Sequence, residues 1–81
     1  MGNENVYKTK DFYLGATLLA YGIPLQKLEC ITPGVYYFVF RTSEQGAAKI
    51  INAYWDGTLK LPVRNFVEAV NELKTRLHLE K

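Results

Sequence analysis

A phenol ring and a guanidinium stand four residues apart on one short run, Tyr37 and Arg41 in "GVYYFVFR". Residues an even number apart on a strand share a face. Such a pair can stack on a nucleobase and hold the phosphate beside it. Lys27, from the preceding run "PLQKLECI", adds a second cation to that face, and Val39 lies between Tyr37 and Arg41. Lys27, Tyr37, Val39 and Arg41 are therefore the candidate residues for binding nucleic acid or a protein partner.

Other chemistry finds little support. His78 is the only histidine and falls near the end of the last helical pattern, where a cation suits the helix dipole. Cys30 is the only cysteine. It is expected as a small buried hydrophobe on a core strand, and as a nucleophile it would need a base that the sequence does not supply nearby. Asp56-Gly57 reads as a turn, and "PGVYY" and "GTLKL" lack the glycine spacing of a phosphate loop. Tyr54 and Trp55 are adjacent on a helix and face different ways, so they do not make a ligand clamp. Arg64, Lys74 and Arg76 are interrupted by Glu68 and Glu72, the pattern of a solvated helix face. Lys8, Lys10 and Lys60 join a basic patch only if two short strands are neighbours. No catalytic residue, metal ligand or cofactor is assigned, and the chain is read as a binding protein and not an enzyme.

Composition sets the frame. Eighty-one residues make one domain, 1–81, with a small core and every reason to share apolar surface with a partner such as a second copy. A formal charge of +2 permits contact with phosphate, but nucleic-acid binding needs the charge gathered on one face. A single cysteine excludes an internal disulfide framework and any zinc site built on cysteine pairs. "MGNENVYKTK" has no apolar run of signal-peptide length, Val6 stands where a myristoylation signal wants Ser or Thr, and no segment is long enough to span a bilayer. A cytoplasmic protein without a membrane partner is expected.

The elements that would position the candidate residues are legible from periodicity and punctuation. Residues 1–5 are polar and expected to be disordered. "VYKT" suits a short strand. A helix over about 10–21 follows, with Thr9 as its expected cap, Asp11 in the first turn and Gly22 as its stop. "PLQKLECI" and "VYYFVFR", joined by "TPG", predict a central hairpin over about 25–41 in a small, mainly antiparallel sheet. A second helix, about 43–56, opens at Thr42 or Ser43, carries Ala47, Ile51, Tyr54 and Trp55 as its apolar stripe, and ends at Gly57. "TLKL" suits another short strand. Pro62 fits the first turn of a third helix, about 62–78, whose Val63, Phe66, Val67, Val70, Leu73 and Leu77 follow helical spacing. The fold class is α+β.

The hairpin can pair in two parities, and a one-residue slip exchanges its faces. Placing Leu28 and Cys30 with Tyr36, Phe38 and Phe40 gives one wholly apolar face. The tight turn favours the opposite parity, so a bulge at Gly34 is expected to correct the register. The second face then carries Lys27, Glu29, Val35, Tyr37, Val39 and Arg41. It can lie under the last helix, form a dimer interface, or serve as a stacking platform for bases. Nucleic acid ranks first among its partners, with a protein partner or homodimer through the same face as the alternative.

Two resemblances bear on this order. With "FVF" on the third strand and "AAKIINAYWDG" after it, strand–helix–strand–strand–helix–strand is similar to RNA-recognition modules. Val35 stands where that signature has Gly, Arg41 where it has a final aromatic, and the first strand lacks an aromatic pair. More of the chain, Tyr7 to Leu77, resembles a family of short bacterial and phage-encoded domains of unknown function. The shared pattern is Tyr7, Thr9 and Asp11; Phe38 and Phe40; Tyr54, Trp55 and Gly57; and Leu73, Lys74 and Arg76. The resemblance implies a fold and a phage or prokaryotic setting, and no catalytic residues.

Overall fold

The computed structural model describes residues 5–80 of the chain. Its elements run β1 (Val6–Thr9), α1 (Phe12–Ala20), β2 (Leu25–Thr32), β3 (Val35–Arg41), α2 (Glu44–Asp56) and α3 (Val63–Leu79). The α+β architecture, with its hairpin and three helices, is the expected one. The disorder expected at the chain start falls on residues 1–4, outside the described residues, and on Asn5, which is exposed and belongs to no element.

Local chemistry sets the boundaries. Thr9 closes β1 opposite Phe38, and its hydroxyl accepts the Asp11 backbone N–H at 3.1 Å. Asp11 accepts the Leu14 N–H at 3.1 Å, so the cap of α1 is Asp11 and not Thr9, which the sheet holds two residues too early. A carboxylate there also meets the positive end of the helix dipole. Ser43 caps α2 by accepting the Gly46 N–H at 3.0 Å. Gly57 ends α2 with φ of 76°, a conformation that costs other residues strain. Pro62 precedes α3 as its cap residue.

The sheet is antiparallel, in the order β1-β3-β2. Leu28 pairs with Phe38 and Cys30 with Tyr36, the parity that gathers the apolar residues on one face. Pro33 and Gly34 form the turn, with Gly34 at φ of 84°. The register is corrected at Ile31 and not at Gly34: Thr32 pairs with Val35 and Cys30 with Tyr36, leaving Ile31 as the extra residue. A second irregularity makes Gln26 the extra residue between Leu25 and Lys27.

With β3 antiparallel between β1 and β2, the first half of the chain is a split β-α-β unit. The expected strand at Thr58–Leu61 does not form. The N–H groups of Thr58 and Leu59 donate to the Ala53 carbonyl at 3.0 and 3.1 Å, which folds this segment back on the end of α2. β1 is consequently an edge strand.

Phe38 and Phe40 of β3 join Ala16 and Leu18 of α1, Ile50 of α2, and Ala69 and Leu73 of α3 in one buried cluster. All three helices thus lie on the Phe38–Phe40 side of the sheet. The Cα envelope, 35 × 34 × 17 Å, has the thickness of one sheet and one layer of helices. α1 comes close to both neighbours at Gly15, where a Cβ would lie 3.4 Å from Phe38 and 3.6 Å from Leu73. α3 packs along α1, so it does not cover the second sheet face.

Several expected core residues lie elsewhere. Trp55 is 68% exposed and Val63 78%, and Val67 is exposed too, whereas Ile50 and Ala69 are buried. α2 and α3 flank α1 in a single layer, so each has a narrower covered side than a fully amphipathic pattern suggests. Cys30, expected in the core, is exposed. It does face Tyr36, but residues 30–35 form a hairpin tip that projects past the helices. Tyr36 is half-buried and its hydroxyl donates to the Glu80 carbonyl at 3.3 Å, while edge strand β2 receives no such cover. No helix among the described residues is long and apolar enough to cross a membrane.

Candidate functional site

The sheet face turned away from the helices carries the candidate residues. Along β3, alternation puts Val35, Tyr37, Val39 and Arg41 on it. Their cross-strand partners Val6 and Lys8 on β1, and Lys27 and Glu29 on β2, bring the rest of the surface.

These residues do not play equal parts. Val39 is only 1% exposed, although no helix lies over it. Lys8 and Lys27 flank it on either side. The outer strands are roughly 10 Å apart across β3, and Lys8 and Glu29 span that gap to meet at 2.9 Å between Nζ and Oε1. Val39 is the floor beneath these long side chains and offers no surface to a partner. The Lys8 ammonium, through hydrogen bonding and charge, holds the Glu29 carboxyl below its ordinary pKa of 4.5; Lys27 adds a smaller pull in the same direction.

Tyr37 is half-buried, and Lys10 Nζ lies 5.9 Å from its ring centroid. This is cation–π distance, and it sets a positive charge over the face of the Tyr37 ring, the only aromatic ring on this sheet face among the described residues. Lys27 and Arg41 are exposed and form no ion pair among the described residues. Four cations, Lys8, Lys10, Lys27 and Arg41, thus surround Tyr37 and Val39 with Glu29 as the counter-charge.

Sequence reasoning placed Lys27, Tyr37 and Arg41 together, and the structure brings them to one face. It also brings Lys8 and Lys10, through the pairing of β1 with β3. Lys60 lies in the strandless segment after α2 and is not part of the sheet. No local pattern announces the β1–β3 pairing, so the alternation of Lys8 and Lys10 with Tyr7 and Thr9 was the one available sign.

Two further features lie away from this face. Tyr54, Leu59, Leu61, Val63 and Phe66, with Thr17, line an open apolar groove of about 310 Å3 between α2 and α3. The exposed Trp55 ring stands beside it, in edge contact with Tyr54 at 5.0 Å. His78 is exposed near the end of α3. No group of three or more His, Cys, Asp or Glu side chains comes together among the described residues.

A small two-layer α+β domain with one open, basic sheet face is the class that this geometry defines. The profile of a family described as a domain of unknown function, DUF5659, matches residues 4–79, and the chain belongs to that family. Comparison with curated proteins and with solved structures returns no match.

Proposed function

We propose that this protein is a non-catalytic binder of single-stranded nucleic acid and that the outer sheet face is its binding surface. One observation carries the reading: four of the ten lysines and arginines, Lys8, Lys10, Lys27 and Arg41, gather with Glu29 as their counter-charge on the one sheet face that no element covers. With a net charge of only +2, that concentration leaves the rest of the surface close to neutral. Lys10, Lys27 and Arg41 meet phosphates, and Tyr37 offers its ring to a base once Lys10 swings from over that ring to a phosphate. A phage or bacterial cytoplasm is the setting we infer, supported by the resemblance of the Tyr7–Leu77 pattern to domains from those sources.

The test is fluorescence anisotropy with a short single-stranded oligonucleotide across a salt series. Tyr37→Ala removes one stacking platform and is expected to weaken binding by about 1–3 kcal/mol. Arg41→Ala is expected to flatten the slope of log affinity against log salt by about 0.7, one phosphate contact on a single strand. Unchanged affinity in both variants overturns the reading.

Protein interaction through the sheet face is the alternative, and a different observation favours such interaction through the helices instead. Trp55 and Val63, the most exposed large apolar residues near the α2–α3 groove, lie on the helical layer and not on the sheet. Light scattering of the pure protein separates the two: a dimer that Trp55→Ala dissolves and Tyr37→Ala leaves intact supports association through the helices.

A further inference from the structure

At one end of the outer face the sheet forms a notch of about 360 Å3 lined by Asn5, Val6, Gln26 and Arg41. Arg41 ends the central strand, Val6 faces it from β1, and Gln26 stands on the β2 side. Gln26 owes its position to the irregularity in β2. Leu25 pairs with Phe40 of the core face and Lys27 with Val39 of the outer face, so Gln26 is the inserted residue between them. Bulges re-aim side chains in this way, and this one sets a carboxamide beside Arg41.

We infer that the notch is a phosphate-binding subsite. Its lining supplies a guanidinium fork and the carboxamides of Gln26 and Asn5, and among the described residues it contains no carboxylate. The Arg41 backbone is tied down, its N–H donating to the Pro24 carbonyl at 3.0 Å, so the guanidinium is presented from a fixed base. A carboxylate is satisfied by the fork alone, whereas a phosphate has further oxygens for the two amides. Arg41 and Tyr37 are separated by about 13 Å along the strand, so a nucleic-acid strand anchored in the notch continues over β3 toward Tyr37 and Lys10. That a nucleic-acid phosphate is the natural ligand rests on the reading above; affinity for the oxyanion itself does not.

The experiment follows the Arg41 Nε–H and the Gln26 side-chain amide by 1H–15N NMR while sodium phosphate is added, with sodium acetate and sodium chloride at matched ionic strength as controls. Saturable shifts at both groups with phosphate alone are expected. Arg41→Lys keeps the charge but loses the fork, and Gln26→Ala loses the amide. Each is expected to weaken phosphate binding roughly tenfold, as loss of a hydrogen bond to a charged group does, with an unchanged melting temperature. Equal shifts with acetate, a response to ionic strength only, or variants that bind phosphate like the wild type overturn the inference. A single-stranded oligonucleotide separates the two proposals. If Tyr37→Ala weakens oligonucleotide binding while phosphate never shifts the notch, the subsite falls and the binding face stands. If phosphate saturates the notch and no oligonucleotide binds, the subsite stands and the nucleic-acid reading falls.

Discussion

The Lys8–Glu29 pair sets how much charge the outer face can offer. Glu29→Gln releases Lys8 from its partner, so oligonucleotide binding is expected to strengthen and its salt slope to steepen by about 0.7. pH acts on the same pair. Because Glu29 titrates below its ordinary 4.5 in the folded protein, the pair supports the fold fully above that value. That support is lost as pH falls through the lowered pKa. Protonation also leaves the face more positive. Affinity for an oligothymidylate, whose bases do not titrate there, is expected to rise as pH drops below 4.5 in the wild type and to rise less in Glu29→Gln. Cys30 is the opposite case, a residue that alternation alone misplaces. Its face is the expected one, yet it sits on the projecting tip of an edge strand, and period-two reasoning carries no information about where the helices end. A thiol reagent is expected to label Cys30 rapidly in the native state, and Cys30→Ala to change stability by less than about 0.5 kcal/mol.

The elements themselves were largely readable from the sequence. Ser43, Gly57 and Pro62 mark helix ends through their own chemistry, whereas α1 is capped by Asp11 and not by the expected Thr9, and the hydrophobic pattern outweighed the turn in choosing the hairpin parity. Helix faces were less readable, because a sequence stripe shows which side is apolar and not how much of it is covered. α3 illustrates this. Leu73 is fully buried against α1 and Phe38, while Val63 lies on the same stripe and is open to solvent. Leu73→Ala is expected to cost about 2–5 kcal/mol, a large share of the roughly 4–12 kcal/mol available to a domain of this size. Val63→Ala is expected to stay within about 0.5 kcal/mol. Thermal melts of the two variants check the contrast, and similar losses would mean that the α3 stripe is covered along its length. In α2 Ala47 is buried as its place on the stripe suggests, and with it Ile50 and not Ile51. The missing fourth strand has a different cause: "TLKL" alternates well enough, but the Gly57 turn commits its first amides to Ala53 before they can reach a sheet.

At the scale of the whole molecule, the protein is a slab with a helical layer of mixed charge on one side and a mainly basic sheet face on the other. The proposed binding face depends on how the chain pairs over long sequence distances, since Lys8 and Lys10 reach Tyr37 and Val39 only through the β1–β3 ladder. That is why composition, with its small net charge, said so little about the site. The edge position of β1 has a consequence in time as well as in space. β1 is four residues long and paired on one side only, so its amide protons are expected to exchange with solvent soonest among those of the sheet, and those of central β3 last. Whenever β1 lets go, Lys8 leaves the face with it, and Lys10 loses its footing beside Tyr37. A polyanion held by these lysines must therefore slow deuterium uptake at Val6–Thr9 more than anywhere else in the sheet. If bound oligonucleotide protects β3 and leaves β1 exchanging at its free rate, the lysines of β1 are not among its contacts.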